Sequence, residues 1–171
     1  MAAGTIDVRY HLCIGCRACE TACSEKKEGA LWPAVARIHI VQAGPGPLDI
    51  PALCHRCSDH PCVAACPAGF KALDYDRETG IVGVDEAKCA GPKCGRCARA
   101  CPAAAVTFHP VSKKPLFCDL CGGEPACVKA CAPEAITYLS GSSFDGRHYA
   151  RPPEQIAAAL AIGLYGGRHV S

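Results

Sequence analysis

Short apolar runs cut by glycine and proline, rather than long periodic stretches, set the pattern of this chain. Between residues 66 and 89, Ala72-Leu73-Asp74-Tyr75 and Ile81-Val82-Gly83-Val84 flank the turn sequence Asp76-Arg77-Glu78-Thr79-Gly80, which predicts a β-hairpin. Ala105-Val106-Thr107-Phe108-His109, a turn over 110–115 and Leu116-Phe117 predict a second hairpin, and Ala135-Ile136-Thr137-Tyr138-Leu139 a further strand. A helix is predicted after Arg151-Pro152-Pro153, where Ile156, Leu160 and Leu164 recur every four positions and the run stops near Gly166-Gly167. That stripe suits either packing back on the body of the chain or docking on a partner chain. The apolar run from Ile156 to Tyr165 is far short of the about 20 residues that cross a bilayer, which excludes a membrane-integral protein.

Composition changes this picture sharply. Sixteen of the 171 residues are cysteine, against four Phe, five Tyr and one Trp. Such a share suits a secreted disulfide scaffold or a metal protein. The first ten residues hold neither the basic nor the apolar region of a signal peptide, so the expectation is a cytoplasmic chain whose thiols bind metal. Lys and Arg exceed Asp and Glu by 18 to 16, a net charge of +2 with histidine neutral. A nucleic-acid partner would call for a more basic chain with its charge gathered in a patch.

The cysteines form four groups of four with none left over: Cys13-x2-Cys16-x2-Cys19-x3-Cys23, Cys54-x2-Cys57-x4-Cys62-x3-Cys66, Cys89-x4-Cys94-x2-Cys97-x3-Cys101 and Cys118-x2-Cys121-x5-Cys127-x3-Cys131. Every group ends in C-x3-C, and a repeat of this kind decides architecture first. Three close cysteines on a loop can reach three irons of one cubane. The x3 step then enters a helical turn that carries the fourth thiolate toward another cluster, as in bacterial two-cluster ferredoxins. Pro67 and Pro102 follow groups two and three, where they stop the helix; Ser24 replaces that proline in group one, and Pro133 stands one place late in group four. Small residues in the loops, among them Gly15, Ala18, Gly91 and Gly95, let backbone amides approach sulfur. Zinc prefers paired knuckles converging on one ion, a poorer match to four cysteines within so short a run. A structural zinc-binding interaction module is the competing reading from another class.

The hairpin between groups two and three suits a two-cluster ferredoxin module built by those groups, which leaves group one to pair with group four. The expected fold is α+β: two bacterial-ferredoxin-like modules, one inserted in the other, with short helices and hairpins around four clusters and a C-terminal helical tail. The outer module takes residues 1–36 and 110–150, the inserted module 37–109 and the tail 151–171. No nucleotide-binding glycine loop, no nucleophile beside a base and no carboxylate dyad is evident, so the chain is expected to be non-catalytic on its own.

With these motifs in hand, the chain resembles the four-cluster, ferredoxin-like electron-transfer subunits of molybdenum or tungsten bis-pyranopterin oxidoreductases, over roughly residues 5 to 140. The run from Cys13 to Cys23, then Glu28-Gly29, Pro33 and Arg37-Ile38, is most similar to the small subunit of tungsten aldehyde oxidoreductase. Cys118-Asp119-Leu120-Cys121 is shared with ferredoxin-like partners of carbon monoxide dehydrogenase, hydrogenase and formate dehydrogenase. The resemblance implies four 4Fe-4S clusters. One takes Cys13, Cys16, Cys19 and Cys131; a second Cys118, Cys121, Cys127 and Cys23; a third Cys54, Cys57, Cys62 and Cys101; a fourth Cys89, Cys94, Cys97 and Cys66. It also implies a catalytic tungsten or molybdenum pterin subunit at one end and a flavin/NAD subunit or ferredoxin at the other. A wire with two ends also allows copies to join end to end.

Other residues carry two readings each. His55 and His60 lie inside group two, where histidine would act as a hydrogen-bond donor or, with four cysteines already present, as a substitute ligand. Arg17, Arg56, Lys93, Arg96, Arg99 and Lys129 interleave the cysteines and would offset cluster charge or simply face solvent. Trp32 before Pro33 reads as packing rather than as an electron relay.

Overall fold

The computed structural model describes residues 4–44, 48–139 and 150–165. Its strands pair as four separate two-stranded antiparallel sheets. β1 (Thr5–Val8) pairs with β8 (Ile136–Leu139), β2 (Ile38–Ala43) with β3 (Leu48–Leu53), β4 (Leu73–Tyr75) with β5 (Val82–Val84), and β6 (Thr107–Phe108) with β7 (Pro115–Leu116). Between them lie α1 (Ala18–Glu28), α2 (Pro61–Ala64), α3 (Arg96–Ala100), α4 (Ala126–Lys129) and, last, α5 (Pro153–Tyr165).

The hairpins expected at 72–84 and 105–117, the strand at 135–139 and the proline-started helix are all present, with trimmed ends. The expected helix stop at Gly166-Gly167 lies outside the described residues. Sequence reading missed β1 and the whole β2–β3 hairpin.

Four helices begin beside the third cysteine of a group, and the residues just past the fourth cysteine set their length. Proline directly after Cys66 and Cys101, or two places beyond Cys131, accompanies helices of four or five residues. Ser24 in group one lets α1 continue for 11 residues until Gly29, at φ 66, ends it by donating its amide to the Glu25 carbonyl at 2.8 Å. The Ser24 hydroxyl is fully buried; it donates to the Thr21 carbonyl at 2.9 Å and accepts the Trp32 amide at 3.1 Å.

The core divides in two around the cysteines. Ile6, Ile38, Ile40, Leu53, Leu120 and Ile136 pack with Cys19, Cys23 and Cys127, so the first and fourth groups share one apolar centre. Leu73, Val82 and Val106 pack with Cys62 and Cys97, uniting the second and third. Alternation along β2–β3 serves both of its faces. Ile38 opposite Leu53, and Ile40 opposite Pro51, face the first core. Ala43 and Ile50 on the other face meet Ile156 and Ala157 of α5. The hairpin therefore belongs with the first and fourth groups, although it lies within the span 37–109 assigned to the inserted module. The described part of α5 packs back on the chain, with Ile156 buried and Leu164 58% exposed.

Candidate metal centres

Sixteen thiols line four cavities in sets of four, and each set is one of those the resemblance implies. The first holds Cys13, Cys16, Cys19 and Cys131, walled by Ile40, Pro51 and Ile136. The second holds Cys23, Cys118, Cys121 and Cys127 behind Ile6, Ile38 and Leu53. Cys54, Cys57, Cys62 and Cys101 surround the third with Val82, Val106 and Leu116. Cys66, Cys89, Cys94 and Cys97 surround the fourth with Leu73, Phe108 and Pro115. Each cavity pairs four sulfurs with apolar or proline side chains, so all four present the same kind of lining.

The turn that opens each group is repeated as well. Gly15, Arg56, Gly91 and Leu120 stand two residues after the first cysteine, and all four have left-handed backbone. In each case that residue's amide donates to the cysteine sulfur, from Gly91 to Cys89 at 3.4 Å and from Leu120 to Cys118 at 3.5 Å. Farther along, the Ala105 amide donates to Cys101 at 3.4 Å and the Arg37 amide to Cys23 at 3.2 Å. Amide donors of this kind favour thiolate over thiol and tune any metal bound to it.

Against that help stands burial, which is the largest influence on the thiols and pushes Cys19, Cys54, Cys62 and Cys118 up to about 12. Burial raises Cys127 too, with Cys118 and Cys23 adding to the effect. Such thiols stay protonated until cations replace the protons, so the sites are built for a positively charged guest. Four zinc-bound sulfurs would lie about 3.8 Å apart around one ion. Among the described residues no three Cys, His, Asp or Glu side chains converge tightly enough to hold a single ion. An all-sulfur donor set spread around a cavity fits a polynuclear iron-sulfur group and does not fit a lone zinc.

At 48–140 the chain matches the 4Fe-4S dicluster domain family. It belongs to that family. The polyferredoxin-like subunit of aliphatic sulfonate oxidoreductase from Pyrococcus furiosus is 37% identical over 90% of this chain and 88% of its own length. The B subunit of polysulfide reductase from Wolinella succinogenes is 38% identical over 75% of this chain and 71% of its own length. Some relatives are longer: the chain spans 28% of NADH-dependent phenylglyoxylate dehydrogenase subunit beta from Aromatoleum evansii. Among solved structures, the BamBC active-site complex of benzoyl coenzyme A reductase aligns over 96% of this chain and 92% of that one, at 24% identity and a TM-score of 0.49. As a 4Fe-4S dicluster protein the chain carries several 4Fe-4S clusters and works in electron transport.

The remaining residues sort by their contacts. His60 stacks on Tyr75 at 3.7 Å with Nε2 3.3 Å from the Gly80 carbonyl, and His55 Nε2 lies 3.5 Å from the Tyr10 hydroxyl. Trp32 meets His109 edge-on at 5.4 Å. Arg17 pairs with buried Glu20 at 3.3 Å, and Glu20 also accepts the Ile40 amide at 2.6 Å, tying α1 to β2. Arg99 reaches the Cys94 carbonyl at 2.6 Å, and Lys129 pairs with Glu124 at the surface. Arg17, Arg56 and Arg96 line the first, third and fourth cavities, whereas Lys93 has no role assigned by these contacts. At the second cavity sequence reasoning missed Lys27 and Arg37; Lys27 pairs there with Asp119 at 2.5 Å. Their distance in sequence from group four left no local signal.

Proposed function

We propose that the chain is a non-catalytic electron conduit, built as a ferredoxin-like module of residues 54–117 carried within a second one, with a 4Fe-4S cluster held by each cysteine quartet. A 4Fe-4S cluster, when bound, accepts and releases single electrons. The protein's part is to fix the four sites in a row. Cys19 and Cys127 join the first and second cavities through one core, and Cys62 and Cys97 join the third and fourth through the other. The observation that carries the reading is the division of the sixteen thiols among four cavities, four to each. The reading has the electron pass along the row from the first site through the second and third to the fourth.

Exposed apolar side chains stand at the two ends of this row. Ile14, 69% exposed, lines the first cavity, and Phe70, 42% exposed, lines the fourth. They suit contact with one partner at each end, a catalytic tungsten or molybdenum pterin subunit and a flavin/NAD subunit or ferredoxin. The resemblance of the first group favours an aldehyde-oxidising tungsten partner. The sulfonate oxidoreductase relative, matched over 90% of this chain, favours a second reading in which the partner acts on aliphatic sulfonates.

Two measurements test the proposal. Iron and acid-labile sulfide analysis of anaerobically purified protein should give four of each per quartet; a colourless protein with one zinc per quartet overturns it. The native complex should then contain tungsten, and aldehyde should bleach its visible iron-sulfur absorption. Bleaching by an alkyl sulfonate and not by aldehyde selects the second reading.

A further inference from the structure

Charge divides unevenly among the cysteine groups. Group one holds Glu20, group two Asp59, and group four Asp119 and Glu124, whereas no Asp or Glu occurs from Ala87 to Cys118. That stretch carries Lys88, Lys93, Arg96, Arg99, Lys113 and Lys114. Lys88 pairs with Asp85 at 2.6 Å, just ahead of the stretch. Lys93, Arg96, Arg99 and Lys113 are exposed and form no ion pair among the described residues. A run of like charge on a solvated surface is ordinary, so its position decides what it means.

These cations stand at the fourth cavity. Arg96 lines it, together with Phe70, 42% exposed, and with Ala90, Gly91 and Gly95 of the group-three loop. Lys93 ends the helical turn Gly91–Lys93, between the ligands Cys89 and Cys94. Lys113 closes on the same loop: Gly91 has left-handed backbone, φ 64, and a Cβ there would strike the Lys113 carbonyl. Lys114 Nζ donates to the Cys89 carbonyl at 2.8 Å, and the Arg99 guanidinium to the Cys94 carbonyl at 2.6 Å. The basic rim is therefore fastened to the backbone that carries the thiols. At the first cavity both signs are present instead: Arg17 pairs with buried Glu20, and the Asp49 carboxylate lies against Gly15.

Resting on the reading that all four quartets hold clusters, we propose that this basic rim is the docking face for an acidic single-electron carrier protein that exchanges electrons with the fourth site. Unmatched cations speed the arrival of an anionic partner and orient it, whereas lasting attachment rests on apolar contact. Small, charge-guided interfaces suit brief redox encounters. Phe70 supplies the apolar centre of the face, and Lys93, Arg96 and Lys113 its charged surround. Cations set beside the sulfurs of a redox site serve a partner for which distance to that site matters, and a nucleic acid has no such need. The exchange moves one electron, from whichever partner is reduced to whichever is oxidised, and no bond is made or broken. The first end, with exposed Ile14 among charges of both signs, is left for the standing partner.

The test uses the loaded full-length protein. Iron and sulfide analysis comes first, and fewer than four clusters overturns the underlying reading rather than the docking face. Stopped-flow mixing with a purified, reduced, acidic two-cluster ferredoxin then gives the second-order rate of electron transfer. Lys93→Glu, Arg96→Glu and Lys113→Glu combined should slow that rate at least about tenfold at low salt. Lys26→Glu, on the exposed side of α1, should leave it near the parent's. In about 1 M salt, where charge reaches only about 3 Å, parent and triple variant should converge. If the triple variant loses clusters, Lys93→Gln with Lys113→Gln, neither of them at the cavity lining, should still slow transfer with the same salt dependence. An unchanged rate in the variants, equal slowing in Lys26→Glu, or a rate indifferent to salt would each overturn the inference. Duplex DNA binding at physiological salt that the triple variant loses, with its ferredoxin rate unaltered, would give the face to a nucleic acid instead. A dimer of the parent that the triple variant dissolves would give it to a second copy.

Discussion

Behind the first and second cavities stands the β2–β3 hairpin, and behind that hairpin stands α5. The third and fourth cavities are walled by β4–β5 and β6–β7, hairpins of three and two residues per strand. The quartets resemble each other closely, so the chemistry of the sites does not account for the contrast. It arises from what the chain adds around them. In the terminal region Ser24 lets α1 run on, Glu20 anchors that helix to β2, and Ile156 and Ala157 seal the outer face of the hairpin. The central region keeps to the minimum, a helical turn stopped by proline on each side and two small hairpins. The terminal region buries seven other apolar residues beside three cysteines, and the packing of β2–β3 on α5 includes no cysteine at all. In the central region the buried cluster is only Leu73, Val82 and Val106 with two cysteines, Cys62 and Cys97.

Removing the clusters should break this comparison most visibly. Stripped of iron and sulfide, the chain should lose hydrogen-exchange protection throughout 54–117 while retaining a remnant at 38–53 and 153–165. Equal loss in both regions would show that β2–β3 and α5 do not stand alone.

Next in size is Ser24→Pro, which imposes the stop found in the other groups. Proline inside α1 should lower stability by about 3 kcal/mol or more, beyond the loss of the hydroxyl that holds the Trp32 amide. Pro67→Ser, the reciprocal change, should alter the melting temperature of the loaded protein by less than the equivalent of about 1 kcal/mol. Similar melting shifts in the two variants would remove helix termination as the origin of the contrast.

Smaller again, Ile156→Ala should cost about 2–3 kcal/mol with iron content unchanged, because Ile156 lies one layer away from the cavities. Val82→Ala, at the wall of the third cavity, should lower iron content instead. Iron loss in Ile156→Ala would mean that the second layer holds the sites directly.

The smallest effect concerns pH. His39 of β2 lies 3.2 Å from the Thr107 hydroxyl of β6, where the two regions meet, and burial holds its imidazole below the usual range in spite of nearby Glu20. The unfolded chain therefore takes up this proton before the folded one does, so His39's contribution to stability is present above the ordinary histidine range and declines as pH falls below about 6.5. Melting temperatures between pH 7.5 and 5.5 should fall less steeply in His39→Gln than in the parent.

Much of the site was legible because ligand spacing is local. Each C-x3-C step is held by a single helical turn, and the turn residues around Thr79-Gly80 and Pro110–Pro115 marked their hairpins. β2–β3 was harder to see, since Pro51 inside β3 reads as a strand breaker; in the fold it sits opposite Ile40 on a hairpin with no further strand to pair among the described residues. The alternating Ile38 and Ile40 were the available signal. β1 is only four residues long, and its partner lies at the far end of the cysteine-bearing region, so no local pattern announces it. Neither the reach of Arg56 to the Gly4 and Thr79 carbonyls nor the approach of Lys27 to Asp119 could be read from spacing, because both depend on how separate segments meet.

The pairing of β1 with β8 also sets an order of assembly. Residues 54–117 hold all the strands and cysteines of the central region and, apart from Ala150 at the rim of the third cavity, can close before the rest of the chain is made. The register Thr5↔Leu139 to Val8↔Ile136 cannot form until the last cysteine group has emerged. During synthesis, Cys13, Cys16, Cys19 and Cys23 therefore wait, exposed and incomplete, while more than a hundred residues are added. Whatever delivers iron and sulfide to this chain should fill the central sites first and the terminal ones last, and the N-terminal thiols are the ones that need shielding from oxygen in the interval.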